Sequence, residues 1–247
     1  VKKMKAAIIG TSLIKFGDLW EKGIEELIED IGHKILDSVD LNPKDIDSLY
    51  IANALSSKIN SQSTLNSIAF EKLGIDKGIC VSSGDSSGSI AIMQAAQSIV
   101  SGKSKIALVI GVEKTTDLKT DEMVTATQTF IDEKESFIGA TIQSQFAMMT
   151  KKYMQDFDLN QGDLAYVSSN NHKNALDNKH AQFRFELEEE KINSSALISD
   201  PIRMLDCASY CDGAAALILC SEDIAAKHKE KILGYLIGSS LASDSTS

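Results

Sequence analysis

The chain has 247 residues, 43% hydrophobic and 24% charged, enough to bury a sizeable core as one large or two small domains. Its formal net charge of −10, with no basic stripe, argues against nucleic acid and anionic membrane surfaces as partners, because contacts to such backbones need clustered Lys and Arg. No apolar run approaches transmembrane length, the run after the basic start VKKMK is too short for a signal-sequence core, and a cytoplasmic location is expected.

Strands and helices alternate from the start. KAAIIGTS, residues 5–12, reads as a strand, and 21–39 as an amphipathic helix with Ile24, Leu27, Ile28, Ile31, Ile35 and Leu36 on its apolar face. A turn at Asn42-Pro43 leads to the strand SLYIAN, 48–53, and then to a helix over about 61–73 that stops at Gly74. A short strand over 79–83 and a turn of small residues precede a helix over 86–101 carrying Ile90, Ile92, Met93, Ala96, Ile99 and Val100 toward one side. KIALVIGVE, 105–113, is an almost unbroken apolar run, as expected of a central parallel strand covered on both faces.

From 114 to about 138 the periodicity fades and Thr, Asp and Glu dominate, which suggests a long excursion or lid. Helices resume over about 144–157 and 161–175, residues 185–205 read as a polar connection, and AAALILCS, 214–221, returns to the sheet. With only Pro43 and Pro201 present, no hinge linker divides the chain. Strands alternating with helices of this length predict an α/β fold with a mixed, mainly parallel sheet and the 86–101 helix buried against it.

Candidate functional groups cluster at the turn before that helix. A nucleophile placed there gains from the helix amides and dipole, which lower a thiol's pKa and favour the thiolate. The residue present is Asp85. Aspartate is also a strong N-cap, so its carboxylate is expected to accept from the backbone N–H of Ser87 or Gly88. His172 can shuttle protons near neutral pH, but holding the neighbouring loop or an interface is its expected role. His33, His180 and His228 sit among polar residues and read as surface groups. Glu113 ends the central strand at the carboxyl edge, where α/β sites are found, with a structural hydrogen-bonding role as its default. Asp212-Gly213 reads as turn chemistry feeding the next strand. Cys80, Cys207, Cys211 and Cys220 are expected as reduced thiols, and the Cys207-x-x-x-Cys211 pair lacks the second pair that a zinc site needs, so no metal is expected.

Three stretches carry a family resemblance. SSGSIAIMQAAQSIVSGKSKIALVIGVEKTTD resembles the nucleophile helix and following strand of the thiolase family, in particular its archaeal and sterol-carrier-protein-type branch. NNHKNALDNKHAQF and DPIRMLDCASYCDGAAALILCSE are similar to two further stretches of that branch, in the same order. The resemblance implies a layered βαβαβαββ fold over 1–225, with 226–247 as the first strand of a truncated second half. It implies a thiolase-like acyltransferase of the acetyl-CoA C-acetyltransferase type, with a coenzyme A thioester as substrate and no separate cofactor. It also implies a homodimer or tetramer, or pairing with a thiolase-like partner subunit.

The same resemblance aligns Asp85 with the acyl-carrying cysteine, puts Ser86, Ser87 and Gly88 in the substrate-binding turn, and leaves His172 as a secondary catalytic candidate. The family's Gly-His-Pro and Cys-x-Gly motifs belong to its second half and do not occur in these 247 residues. A carboxylate attacking a thioester would yield a mixed anhydride, which is poorly suited to storing an acyl group. The alternative is therefore a catalytically silent homologue that acts as a partner or scaffold subunit.

Overall fold

The computed structural model describes residues 5–227 and 229–244. His228, read above as a surface group, and the 245–247 end of the segment expected to open a second half lie outside the described residues. In chain order the elements begin with β1 (Ala6–Leu13), α1 (Ile24–Val39), β2 (Ser48–Ala52), α2 (Ser56–Ile59), α3 (Leu65–Leu73), β3 (Gly78–Val81), α4 (Ser87–Val100) and β4 (Ile106–Glu113). They continue with α5 (Thr120–Thr127), α6 (Glu133–Phe137), α7 (Ile142–Phe157), α8 (Gln161–Ala175), α9 (Glu189–Asn193), β5 (Leu197–Ser199) and β6 (Ile202–Arg203). The chain closes with β7 (Gly213–Cys220), α10 (Glu222–Ala225) and β8 (Gly234–Leu236). Two compact units result, one from residues up to 117 with 212–243, the other from 118–211.

The first unit is built on a six-stranded sheet in the order β3-β2-β4-β7-β1-β8. Strands β2, β3 and β4 run parallel, while β7 is antiparallel to both β4 and β1, and β8 is antiparallel to β1. This is the mixed sheet that the alternating pattern predicts. Side chains alternate between its faces with the period of two that a pleated strand imposes. Leu49, Ile51, Ile106, Leu108, Ile110 and Ile218 enter one core with α1 and α3, while Tyr50, Ala52, Ala107, Val109 and Leu219 enter another with α4.

Both helix faces refine the sequence reading. Helix α1 starts at Ile24, three residues later than its periodicity suggests, because the Glu26 carboxylate accepts from the Gly23 N–H at 2.9 Å and fixes the first turn there. Gly32 is needed where α1 crosses α3, since a Cβ at that position would run into Leu73. The helix expected over 61–73 starts only at Leu65, as α3, and a separate short helix, α2, precedes it, with Ser61 at a φ of 56° between the two. Helix α4 does pack on the sheet, burying Ala96 and Ile99 as expected together with Ala91, Ala95 and Ser98. Small side chains let the helix approach the strands closely, and Ile90, Ile92 and Met93 are left half-buried.

The second unit holds its own small core of Ala165, Leu187 and Ile192 with Leu205, and α8 packs on α9. Reciprocal side-chain caps start its two long helices: Thr141 with Ser144, and Asn160 with Asp163. The segments 114–138 and 185–205, expected as excursion and connection, contain α5, α6, α9 and the β5–β6 hairpin. These helices span only five to eight residues. They are too short to show a period and are set by local caps such as Asp132, whose carboxylate accepts from the Lys134 and Glu135 amides. No helix among the described residues is long and apolar enough to cross a membrane.

One buried ion pair ties the first unit together. Asp212, immediately before β7, is 0% exposed, and Lys114, immediately after β4, is 1% exposed; their charged atoms are 2.9 Å apart. The Asp212 carboxylate accepts five hydrogen bonds, from the Leu19, Thr115 and Thr116 amides, the Thr116 hydroxyl and the Lys114 ammonium. The ammonium also donates to Asp117 at 2.6 Å and to the Thr116 hydroxyl, and it lies 5.8 Å from the Trp20 ring centroid. Asp212 is therefore far more than the turn residue that its Gly213 neighbour suggests. Gly213 itself is required because the Phe16 ring occupies the space where a Cβ would stand.

Asp212→Ala is expected to lower stability by about 3–5 kcal/mol, the cost of leaving one buried charge unpaired, read as a fall in the urea midpoint. Burial alone would push the Asp212 carboxyl up, but the bonds from Thr116 and Lys114 outweigh it and hold the group below the usual carboxylate range. The stability it contributes is thus complete above the unfolded value of about 3.9 and is lost as pH falls through the lower folded value. Urea midpoints measured from neutral pH down to strongly acidic pH should show this loss in the parent and not in Asp212→Ala.

Candidate functional site

Parallel strands β2, β3 and β4 bring their carboxyl ends to one edge, where α/β proteins build their sites. Asn53 follows β2, the 82–86 turn follows β3, and Glu113 closes β4. Asn53 links all three strand ends. Its N–H donates to the Val81 carbonyl at 3.1 Å, its side-chain amide donates to the Val112 carbonyl at 2.7 Å, and its side-chain oxygen caps the Ser56 N–H at 2.7 Å.

The turn between β3 and α4 is held by its own serines. The Ser86 and Ser87 amides donate to the Ser83 and Gly84 carbonyls at 3.2 and 3.1 Å, with Gly84 at a φ of 52°. The Ser87 hydroxyl donates to the Gly84 carbonyl at 2.6 Å and accepts from the Ser83 N–H at 2.8 Å, and the Ser86 hydroxyl donates to the Ser83 carbonyl. Helix α4 then starts at Ser87 with no side-chain cap.

The expected Asp85 cap is not formed, because the Ser87 amide is already committed to Gly84. Asp85 is exposed, and among the described residues its carboxylate has no hydrogen-bond partner. Ser86 and Gly88 are exposed, Ser87 is buried, and no protein atom lies within 4 Å of where a Cβ on Gly88 would stand. The turn thus presents Asp85, Ser86 and Gly88 together on an open surface.

His172 belongs to α8 of the second unit. Its Nδ1 lies 3.2 Å from the Phe185 carbonyl, and its ring centroid is 5.0 Å from that of Phe185 and 6.5 Å from that of Phe183. These contacts hold the 183–185 segment against α8. The four cysteines form no disulfide, and among the described residues no three His, Cys, Asp or Glu side chains converge as metal ligands would.

Sequence reasoning missed the Asn53 junction and the Lys114–Asp212 pair. The available signals were an Asn directly after an apolar strand, a Lys directly after the central apolar run, and an Asp before an Ala-rich one. Glu113 does have the structural role expected of it, since one carboxylate oxygen accepts from the Ala54 and Leu55 amides. Its other oxygen is buried without a partner, and burial pushes the carboxyl up despite those two bonds. A raised folded pKa means that this carboxylate destabilises the fold increasingly as pH rises above its unfolded value of about 4.3. Glu113→Gln keeps an acceptor for the two amides and removes the charge. We expect it to be more stable than the parent at pH 8 and equal to it at acidic pH, whereas Glu113→Ala should cost about 1–3 kcal/mol. Thermal melts at both pH values check this.

Comparison with known proteins gives this edge a context. The family model described as "Thiolase, N-terminal domain" matches residues 6–223. An acetyl-CoA acetyltransferase of Methanocaldococcus jannaschii is 36% identical over 96% of this chain and 61% of its own length. An acetyl-CoA acetyltransferase of Methanothermobacter thermautotrophicus is 32% identical over 91% of this chain and 59% of its own length. The chain therefore spans about three fifths of these relatives. Among solved structures, the Ltp2-ChsH2(DUF35) aldolase superposes with a TM-score of 0.73 at 22% identity, covering 92% of this chain and 58% of that one. On the extent of the family match and the identity to the first relative, this chain belongs to the thiolase family, within its N-terminal domain.

Proposed function

We propose that the chain handles an acyl-CoA thioester as a thiolase-like acyltransferase of the acetyl-CoA C-acetyltransferase type, with Asp85 at the position of the acyl-carrying residue. The observation that carries this reading is the 36% identity to an acetyl-CoA acetyltransferase over 96% of the chain. The open strand–turn–helix around Asp85 supports it. In this reading Ser86, Ser87 and Gly88 form the turn that receives the thioester. The serine hydroxyls fix the turn, and with the Ser87 amide given to Gly84, the next amides of α4, at Gly88 and Ser89, stabilise negative charge on the thioester oxygen. His172 keeps the 183–185 segment in place and is a secondary candidate for proton transfer. The coenzyme A thioester is the substrate, and no separate cofactor enters. Cytoplasmic location belongs to the same reading, in keeping with four cysteines that form no disulfide. Self-association as a dimer or tetramer belongs to it as well, supported by the edge position of β3 with Ile79 47% exposed.

The chemistry of Asp85 favours a second reading. Attack by its carboxylate oxygen on a thioester carbonyl would form a new C–O bond, expel the coenzyme A thiolate and leave a mixed anhydride, which water hydrolyses far faster than a thioester. A catalytically silent homologue acting beside an active subunit needs no such intermediate. The name of the Ltp2-ChsH2(DUF35) aldolase joins two components, which is in keeping with a partnered arrangement.

The discriminating experiment supplies the part of the relatives that this sequence does not span as a separate chain, adds acetyl-CoA, and measures intact mass for the parent and for Asp85→Cys. An acetyl adduct on Asp85→Cys alone is the expected outcome: it supports an acyl-CoA site that has lost its nucleophile. A stable adduct on the parent at Asp85 would overturn the silent reading. No adduct on either would overturn the acyl-CoA site itself.

A further inference from the structure

Helix α7 buries one side and leaves an apolar stripe exposed on another. Ala147 is buried, and the helix packs on β5 and β6. Phe146, Met149, Tyr153 and Phe157 follow one another at intervals of three, four and four residues, so they share a single helix face. Each is between 52% and 62% exposed, and the Tyr153 and Phe157 ring centroids lie 4.6 Å apart. The reading above gives this face no role. Holding four large apolar side chains in water is unfavourable, and burial against a matching surface reverses that. The charges beside the stripe are already paired on their own copy, Lys152 with Asp156 and Lys151 with Asp200, and Thr150 and Met154 on the other flank are uncharged. A surface docking here therefore leaves no lone charge desolvated.

Two features identify a second copy of this chain as the occupant. The first is symmetry. The stripe has a phenylalanine at each end with Met149 and Tyr153 between, so its pattern is nearly the same in both directions. Two such helices laid antiparallel across a twofold axis set Phe146 against the partner's Phe157 and Met149 beside the partner's Tyr153, and each contact occurs twice, as an isologous interface requires. The second is area. Side chains of this size bury about 150–250 Å² each, so four that are more than half exposed offer about 400 Å² of apolar surface per copy, or about 800 Å² in the pair. Apolar atoms make up roughly 57% of a typical interface, and the polar rim that accompanies such a core brings the total to about 1,400 Å², within the range of specific complexes.

We infer that α7 is a self-association surface, at which two copies of the chain pair in antiparallel register through Phe146, Met149, Tyr153 and Phe157. It uses a different element from the edge of β3, and it does not rest on the acyl-CoA reading.

The test is sedimentation velocity on the whole chain, with circular dichroism melts to identify any variant that fails to fold. We expect the parent to form dimers at micromolar concentration, and Met149→Glu, which brings two carboxylates toward the axis, to weaken them about tenfold or more. Phe146→Lys and Phe157→Glu should each weaken them alone, and they decide the matter if Met149→Glu does not fold. Mixed together, these two variants should recover dimers, because the lysine of one copy then faces the glutamate of the other while the second Phe146–Phe157 contact stays intact. That recovery reports the antiparallel register. A monomeric parent, dimers untouched by a folded Met149→Glu, or a mixture no tighter than either variant alone would each overturn the inference. Dimers lost in Ile79→Glu but kept in Met149→Glu would overturn it in favour of the edge of β3. The part of the relatives that this sequence does not span is then added as a separate chain. Dimers that persist in its presence support the inference; if that chain binds the parent, fails to bind Met149→Glu and dissolves the dimers, the stripe belongs to it and the inference falls.

Discussion

The organisation of the first unit depends on one buried carboxylate. Asp212 gathers the loop after β1 through Leu19, the exit of β4 through Lys114, Thr115 and Thr116, and the entry of β7 through its own backbone. Removing two charges from water is expensive, and the attraction between them repays it only when the remaining donors and acceptors are also satisfied. Here five hydrogen bonds meet that condition and join the three segments. The consequence is geometric more than energetic. The end of β4, which carries Glu113 and faces the Asp85 turn across the parallel strands, is fixed in register by a pair that lies just beyond it.

The next constraint is how closely α4 approaches the sheet. Ala91, Ala95 and Ala96 present little bulk, and the strand residues opposite include Ala52 and Ala107. On the other face, α1 and α3 meet Leu49, Ile51, Leu108 and Ile110. This asymmetry of side-chain volume holds α4 near the strands. It leaves Ser86, Ser87 and Gly88 at the sheet edge, beside the residue that carries the functional question. The turn is self-sufficient because its serine hydroxyls and the Gly84 and Ser83 carbonyls satisfy one another. Among the described residues the Asp85 carboxylate makes no hydrogen bond, and its side chain is exposed.

Much of this architecture was legible in the residues, and the exceptions have physical causes. Strands of apolar residues and helices longer than three turns announced themselves, as β4, α1 and α8 illustrate. Helices of five to eight residues did not, because a helical period needs about three turns to show and α5, α6 and α9 are set by local contacts instead. The face that α4 buries was legible in part: Ala96 and Ile99 are buried as expected, while Ala91 and Ala95 lie closer to the sheet than Ile90, Ile92 and Met93 because close packing rewards the smaller side chain. The Asp85 cap was expected from propensity. It failed because another acceptor, the Gly84 carbonyl, lies nearer to the same amide.

The sequence by itself determined the fold class, the mixed sheet, the position of the open turn and the family, since each rests on local pattern or on motifs read along the chain. Only the tertiary structure decided that Asp212 is a buried anchor rather than a turn residue. The same holds for Asn53 as the link between three strands and for the open pocket lined from α5, α7 and β5 in the second unit. The reason is common to all three. Lys114 and Asp212 are 98 positions apart, Asn53 and Val112 are 59 apart, and the pocket lining runs from Thr120 to Tyr210. A carboxylate's burial and a pocket's lining are properties of what surrounds them, and those surroundings exist only once distant segments have met.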